Sequence, residues 1–182
     1  MRPPSVRLVD ALPLRTSRLT LRPLGRRDAD VLAAMLADPA VMRHFPHPMS
    51  RAESDGWLRR NLTRYDDDGT GLFAVCRGDE WIGDCGLLLR RLDRVPVLEL
   101  GYHLRRDTWG HGYATEAARA CLDLAFSMTD VASVVALIRP GNRPSRRVAA
   151  RLGAALHGAV LHAGLPHDLW HVTRSAATGA LQ

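Results

Sequence analysis

The alternation of apolar and polar positions divides this 182-residue chain into strand-like and helix-like stretches. Leu19, Leu21 and Leu24 around Thr20 and Arg22 predict a short strand. Val31, Leu32, Met35 and Leu36, following Asp28, predict a helix that Asp38-Pro39 stops. Met42-Arg43-His44-Phe45-Pro46-His47-Pro48 reads as a proline-rich loop. Ser50 and Glu53 then have the spacing of a capping box for a helix through Trp57, Leu58 and Leu62, ended by Asp66-Asp67-Asp68-Gly69. Leu72–Cys76, Trp81–Leu89 and Val97–Leu104 read as three strands of an antiparallel meander, joined by Arg77-Gly78-Asp79 and by residues 91–96. A helix from Ala114 to about Met128 repeats Ala118, Cys121, Leu122, Ala125 and Phe126 at helical spacing, and Ser133–Ile138 is an apolar, β-branched strand. Asn142 opens another helix that ends near Leu152-Gly153, and Leu156–Leu161 with Asp168–Thr173 form a closing hairpin.

This succession predicts an α/β (α+β) domain. At this length one domain buries roughly 70% of its unfolded surface. Residues 1–13, with Pro3, Pro4 and Pro13 and little periodicity, are expected to be a loosely held leader, residues 14–174 the domain, and residues 175–182 a short tail. Hydrophobic residues are 46% and charged residues 24% of the chain, the balance of a soluble globular protein. No apolar run approaches the ~18 residues of a membrane span, and Met1-Arg2-Pro3-Pro4 leads into mixed polar sequence rather than a signal region. A cytoplasmic protein without membrane contact is the expectation. Cys76, Cys85 and Cys121 are odd in number and set in apolar segments, which reads as reduced core thiols.

Charge narrows the chemistry. A net charge of +6 favours anionic partners, and all 25 basic residues are arginine. The absence of lysine excludes a phosphate-loop NTPase, a Schiff-base pyridoxal enzyme and a lysine-centred kinase.

Candidate chemistry gathers at Trp109-Gly110-His111-Gly112-Tyr113-Ala114-Thr115, between a strand and a helix. Two glycines just before a helix let consecutive N–H groups face one point, and the first helical turn adds its unpaired donors and its dipole. The stretch reads either as an anion cradle suited to phosphate or as a plain loop and helix start. In Val97–Leu104, alternation puts Leu98, Leu100, Tyr102 and Leu104 on one face, and Glu99, Gly101 and His103 on the other. Glu99 is then a candidate general base or an arginine-paired sheet residue, and His103 a less specific candidate. Asn142 and Ser145 fit a helix cap, and equally an amide that holds a ligand carbonyl beside a hydroxyl that protonates a leaving group. Arg143, Arg147 and Arg151 share a stripe that is a solvated basic face or a phosphate contact. Eight histidines invite a metal, but His167 and His171 on one strand face would lie roughly 13 Å apart. His44 and His47 have no carboxylate or cysteine close by in sequence, so no metal is expected.

Together, the glutamate-bearing strand, Trp109-Gly110-His111-Gly112-Tyr113-Ala114 and Asn142-x-x-Ser145-x-x-Val148-x-x-x-Leu152-Gly153 resemble the GNAT superfamily of acyl-CoA-dependent N-acetyltransferases. Leu14-Arg15-Thr16-Ser17-Arg18-Leu19-Thr20-Leu21-Arg22 and Asp38-Pro39-Ala40-Val41 resemble the branch that acetylates N-termini of ribosomal proteins. The likeness spans about residues 14 to 174. It implies a mixed, mostly antiparallel central sheet of about seven strands with roughly four helices, splayed between the fourth and fifth strands. It implies no metal and acetyl-CoA as donor, its pyrophosphate on the N–H groups of Gly110 through Thr115 and its pantetheine beside Tyr102, His103 and Leu104 like an added strand. Trp109 departs from the Gln or Arg that usually opens this turn, as is common in the branch, at no loss of a backbone donor.

The implied mechanism is direct transfer in a ternary complex. Glu99, through a water, takes a proton from a primary amine; a strand N–H near Tyr102 or His103 meets the thioester oxygen; Ser145 protonates the departing thiolate. The implied acceptor is a peptide or protein N-terminus, in a groove bounded by the His44 to Met49 loop, the helix from Ser50 and the closing hairpin. The alternative acceptor is a small amine such as an antibiotic, amino acid or polyamine. A basic RNA- or ribosome-binding module is disfavoured by 5% aromatic residues and scattered arginine pairs. A non-catalytic acyl-CoA sensor is disfavoured by the presence of Glu99 and Ser145. Edge strands near the closing hairpin leave room for a homodimer.

Overall fold

The computed structural model describes residues 6–92 and 94–179. Its strands are β1 (Leu14–Arg15), β2 (Thr20–Pro23), β3 (Gly71–Arg77), β4 (Glu80–Leu92), β5 (Val95–Leu104), β6 (Ser133–Ile138), β7 (Ala155–His162) and β8 (Leu165–Thr173). They form one sheet in the order β1-β2-β3-β4-β5-β6-β8-β7. All neighbours are antiparallel except β5 and β6. The helices are α1 (Ala29–Leu36), α2 (Pro39–Met42), α3 (Arg51–Asp68), α4 (Tyr113–Met128), α5 (Arg143–Arg151) and α6 (Arg174–Gly179). The expected class holds. The two-residue β1 and the short α2 and α6 raise the counts to eight strands and six helices among the described residues, so that the fourth and fifth strands, between which the splay is expected, are β5 and β6.

Each sheet face carries a core because the meander alternates. Phe73, Val75, Ile82, Cys85, Leu87, Leu98 and Leu100 point to one face and bury Ala117, Ala118, Cys121, Leu122 and Ala125 of α4. The small residues on that side of α4 bring its axis close to the strands. Cys85 and Cys121 meet with sulfurs 3.7 Å apart, both buried and free, and burial pushes the Cys85 thiol up. On the opposite face Ala74, Cys76 and Trp81 meet Leu32, Met35 and Leu36 of α1 and Leu58 of α3.

Polar anchors fix the helices. Ser50 and Glu53 form the expected capping box at the start of α3. Further along, the Asn61 side chain donates to the Leu72 carbonyl at 2.9 Å and accepts from the Leu72 N–H at 2.7 Å. Tyr65 also donates to that carbonyl and accepts from the Leu24 N–H. Burial pushes its phenol up to about 12. Arg22 grips the buried Asp28 through two bonds of 2.9 and 2.7 Å, seating α1.

Two segments differ from expectation. Residues 6–13 are not a loose leader: Leu8 is fully buried in the α4-side core, and the Val9 N–H donates to the Gly69 carbonyl. Its prolines hid an apolar anchor within a 3-10 turn, Leu8–Ala11. The expected tail likewise begins as α6, which packs against α4 and brings Ala176 close to Gly153 after α5. Residues 1–5 and 180–182 lie outside the described residues.

The sheet opens in its middle. β5 and β6 pair at one register position, Glu99 opposite Val135, while β6 pairs with β8 from Ser133 to Ile138. Beyond Glu99, the β6-facing edge of β5 has no strand partner among the described residues.

Candidate active site

β5 organises the site because it delivers different groups to three places. At its C-terminal end the chain turns through Arg105–Thr108 into Trp109-Gly110-His111-Gly112 and then α4. Gly110 and Gly112 have φ of 85° and 82°, the left-handed region that glycine enters without a Cβ penalty. A Cβ at Gly110 would meet nothing within 4 Å, so this position faces open space. The N–H groups of Gly110 through Thr115 have no protein acceptor among the described residues. Thr115 adds a buried hydroxyl without a partner. Unsatisfied donors at a helix start are the groups that bind a phosphate anion. The residues present fit a pyrophosphate.

A clamp that the sequence did not reveal holds this turn. The Glu116 carboxylate, one turn into α4, accepts from Thr16 Oγ1 at 2.6 Å, Ser17 Oγ at 3.1 Å, the Arg18 backbone N–H at 2.9 Å and Arg18 Nε at 2.7 Å. Arg18 also donates to the His111 carbonyl at 3.0 Å, and its guanidinium lies 4.7 Å from the Tyr113 ring centre. Burial alone would raise the Glu116 carboxyl, but the Thr16 hydroxyl and Arg18 outweigh it and hold it below its ordinary value. Trp109 fixes the other side, donating from Nε1 to the Leu104 carbonyl at 2.9 Å.

On the α4 face of β5, Tyr102 donates from its hydroxyl to the Ser145 carbonyl at 3.2 Å, bridging the opening between β5 and α5. Burial drives the Tyr102 phenol well above its ordinary value. Asn142 caps α5: its Oδ1 accepts from the Ser145 N–H at 3.2 Å. The Ser145 hydroxyl has no partner among the described residues, so capping uses the Ser145 backbone and leaves its side chain free.

On the opposite face stand Glu99 and His103. Glu99 is 9% exposed, and its Oε2 accepts from Arg90 Nε at 2.6 Å; Oε1 has no partner among the described residues. The structure therefore brings in the arginine partner and still leaves one carboxylate oxygen for a water or an amine. His103 Nδ1 lies 2.8 Å from Asp84 Oδ1, and its ring packs against Phe45 and Trp57. Burial pulls the His103 imidazole down, but the Asp84 carboxylate pulls it further up, and the net shift is upward. Asp84 is completely buried, and its Oδ2 has no partner among the described residues. Sequence reasoning missed Asp84, although a lone carboxylate in the apolar run Trp81–Leu89 was the signal.

The other candidates divide. Arg146 beside the expected basic stripe pairs with Asp168 at 3.6 Å and lies 5.8 Å from the Trp170 ring. His157 and His171 stack with ring centres 4.3 Å apart. Among the described residues no three His, Cys, Asp or Glu side chains group as a metal site requires. No helix of the described residues is long and apolar enough to cross a membrane.

The arrangement puts an anion cradle at one end of β5, a hydroxyl on one face and carboxylates on the other, around a strand edge left free. Known proteins resemble the chain in sequence and in fold. The chain matches the Acetyltransferase (GNAT) domain over residues 18–155. It is 36% identical to the uncharacterized protein YkkB of Bacillus subtilis over 76% of this chain and 82% of that one. It superimposes on an acetyltransferase from Agrobacterium tumefaciens with a TM-score of 0.79 and 30% identity, covering 90% and 95% of the two chains. It shares its fold with Mycobacterium smegmatis RimJ, solved in complex with CoA-disulfide, at a TM-score of 0.69 and 22% identity, covering 88% and 86%. The chain belongs to the GNAT superfamily of acetyl-CoA-dependent N-acetyltransferases.

Proposed function

We propose that this N-acetyltransferase acts on the N-terminal amine of a peptide or protein, by direct transfer while both substrates are bound. One observation carries the direct transfer: β5–β6 pairing stops at Glu99, so donor and acceptor can reach one strand edge from opposite faces of the sheet. The choice of a peptide acceptor rests on the likeness of the chain's opening to the ribosomal-protein branch. Acetyl-CoA, as substrate, supplies an activated acetyl group.

The residues divide the work. Gly110 through Thr115 hold the pyrophosphate with main-chain donors, while Tyr102, His103 and Leu104 lie along the pantetheine arm. Glu99 Oε1 takes the amine proton, directly or through a water, and Arg90 keeps the carboxylate oriented. A β5 N–H at Tyr102 or His103 meets the thioester oxygen as charge gathers there. Ser145 Oγ protonates the departing sulfur. Holding both reactants supplies much of the acceleration, so losing either side chain slows the reaction without abolishing it.

The test is thiol release from acetyl-CoA with short peptides and with small amines, for the native protein and Glu99→Gln. A peptide N-terminus should be the better acceptor, and the variant should regain rate as pH rises and more amine is already neutral. Unchanged turnover of Glu99→Gln at every pH would remove Glu99 from the mechanism. Preference for a polyamine or aminoglycoside would replace the peptide acceptor.

A further inference from the structure

The Glu99 side of the sheet carries more positive charge than the proposed chemistry uses. Gly56, Arg59, Arg60, Thr63 and Arg64 of α3 line a cleft of about 450 Å3. The Asn61 and Tyr65 anchors fix this part of the helix on β3. Arg64 is half-buried; burial first, then the guanidiniums of Arg90 and Arg60, pull it below its ordinary value, and Asp68 and Glu99 offset only part of this. Arg90 is engaged by Glu99, but Arg59, Arg60 and Arg64 have no hydrogen bond or ion pair among the described residues. Burial pulls His162, at the end of β7, below its ordinary value, with Glu99 acting upward and Arg90 downward.

A partly buried cation beside like charges costs stability, and such uncompensated arrangements gather where a ligand supplies the missing charge. Guanidinium forks match carboxylates bidentately. No aromatic ring lines the cleft, so it lacks the stacking platform of a single-stranded nucleic-acid site.

We infer that this arginine cleft binds a carboxylate of the acceptor, which makes the preferred acceptors amines that carry an acidic group. An acidic peptide N-terminus and an acidic amino acid share that chemistry. The inference rests on the proposed acetyl transfer for the amine, and on Arg59, Arg60 and Arg64 for the carboxylate.

The experiment compares Ser-Glu-Glu-Ala with Ser-Gln-Gln-Ala, and free glutamate with glutamine, as acceptors in the thiol-release assay. In parallel, the same peptides, labelled at the C-terminus, are titrated into coenzyme A-loaded protein and followed by anisotropy. The acidic peptide should exceed its neutral twin by about tenfold or more in kcat/KM, a preference that shrinks at high salt. Arg64→Glu should turn the preference toward Ser-Arg-Arg-Ala, and the more exposed Arg60→Glu should do the same if the first variant folds poorly. If glutamate outperforms the peptide, the carboxylate site stands with a small-molecule source. Preferential binding of the acidic peptide without transfer would keep the cleft assignment and defeat the transfer reading. Equal binding and turnover of the acidic and neutral peptides would overturn the inference. Displacement of the peptide by a single-stranded RNA oligomer that binds more tightly would overturn it in favour of a nucleic-acid surface.

Discussion

Glu116→Gln perturbs the clamp under the turn from Trp109 to Thr115 while barely changing its shape. The native carboxylate accepts four hydrogen bonds of 2.6–3.1 Å from Thr16, Ser17 and Arg18, and its ion pair with Arg18 has side chains 15% and 47% exposed. A hydrogen bond to a charged group contributes about 1.5–3 kcal/mol, and a fully exposed ion pair about 0.2–1 kcal/mol. Arg18 stands half in solvent, so screening removes the upper end of that range, and the expected loss is about 2 kcal/mol. For a domain of this size that lowers Tm by roughly 4–8 °C.

The pH dependence has a defined sign. The Glu116 carboxyl is held below its ordinary value in the folded state. Its stabilisation is therefore fully present above the unfolded value of about 4.3 and lost as pH falls through the folded value. Melting curves of the native protein and Glu116→Gln should run parallel from neutral pH to about pH 5 and converge below. Because Arg18 also holds the His111 carbonyl, the variant should gain less Tm from acetyl-CoA than the native protein does. A variant that melts with the native protein across this range, with the same acetyl-CoA shift, would refute the clamp.

Three further outcomes follow from the geometry. Ser145→Ala should cut kcat by about tenfold to a hundredfold with Tm unchanged, because the hydroxyl takes no part in the cap, whereas Asn142→Ala should cost about 1 kcal/mol in denaturant unfolding. Asp84→Asn should carry the His103 titration, followed by NMR, from above the ordinary value of about 6.5 to below it, since burial, the largest influence, is then opposed only by the weaker pull of Glu99. The Asp84–His103 stabilisation is fully present below the unfolded histidine value and lost as pH rises through the folded one, so the stability gap between the two proteins should narrow in that direction. Gly112→Ala, at φ 82°, should cost about 1 kcal/mol and weaken acetyl-CoA binding.

Periodicity made the meander, α4 and the closing hairpin legible, because Leu98, Leu100, Tyr102 and Leu104 alternate where Ala118, Cys121, Leu122 and Ala125 recur at helical spacing. The same alternation assigned Glu99 and Tyr102 to opposite faces, which the structure reproduces. Pairwise contacts between distant segments were not legible. Glu116 looks like a routine first-turn acid until Thr16, Ser17 and Arg18 fold onto it, and Asp84 acquires meaning only when His103 pairs beside it. Leu8 was hidden for a related reason: an isolated leucine among prolines has no period, and only its place in the core shows that residues 6–13 belong to the fold. Arg64 carries no signal of its own in the sequence, and only the fold brings Arg90 into its electrostatic surroundings.

The most direct test of the donor site is a thermal melt with acetyl-CoA, with free coenzyme A and ADP as comparisons. At a hundredfold excess over Kd the ligand adds about 2.7 kcal/mol, a rise of roughly 5–10 °C for this domain. Both coenzyme A species should raise Tm by that amount and ADP by less, as the proposed pyrophosphate cradle at Gly110 through Thr115 and the proposed pantetheine path along β5 require. No shift with either coenzyme A species would contradict the donor site.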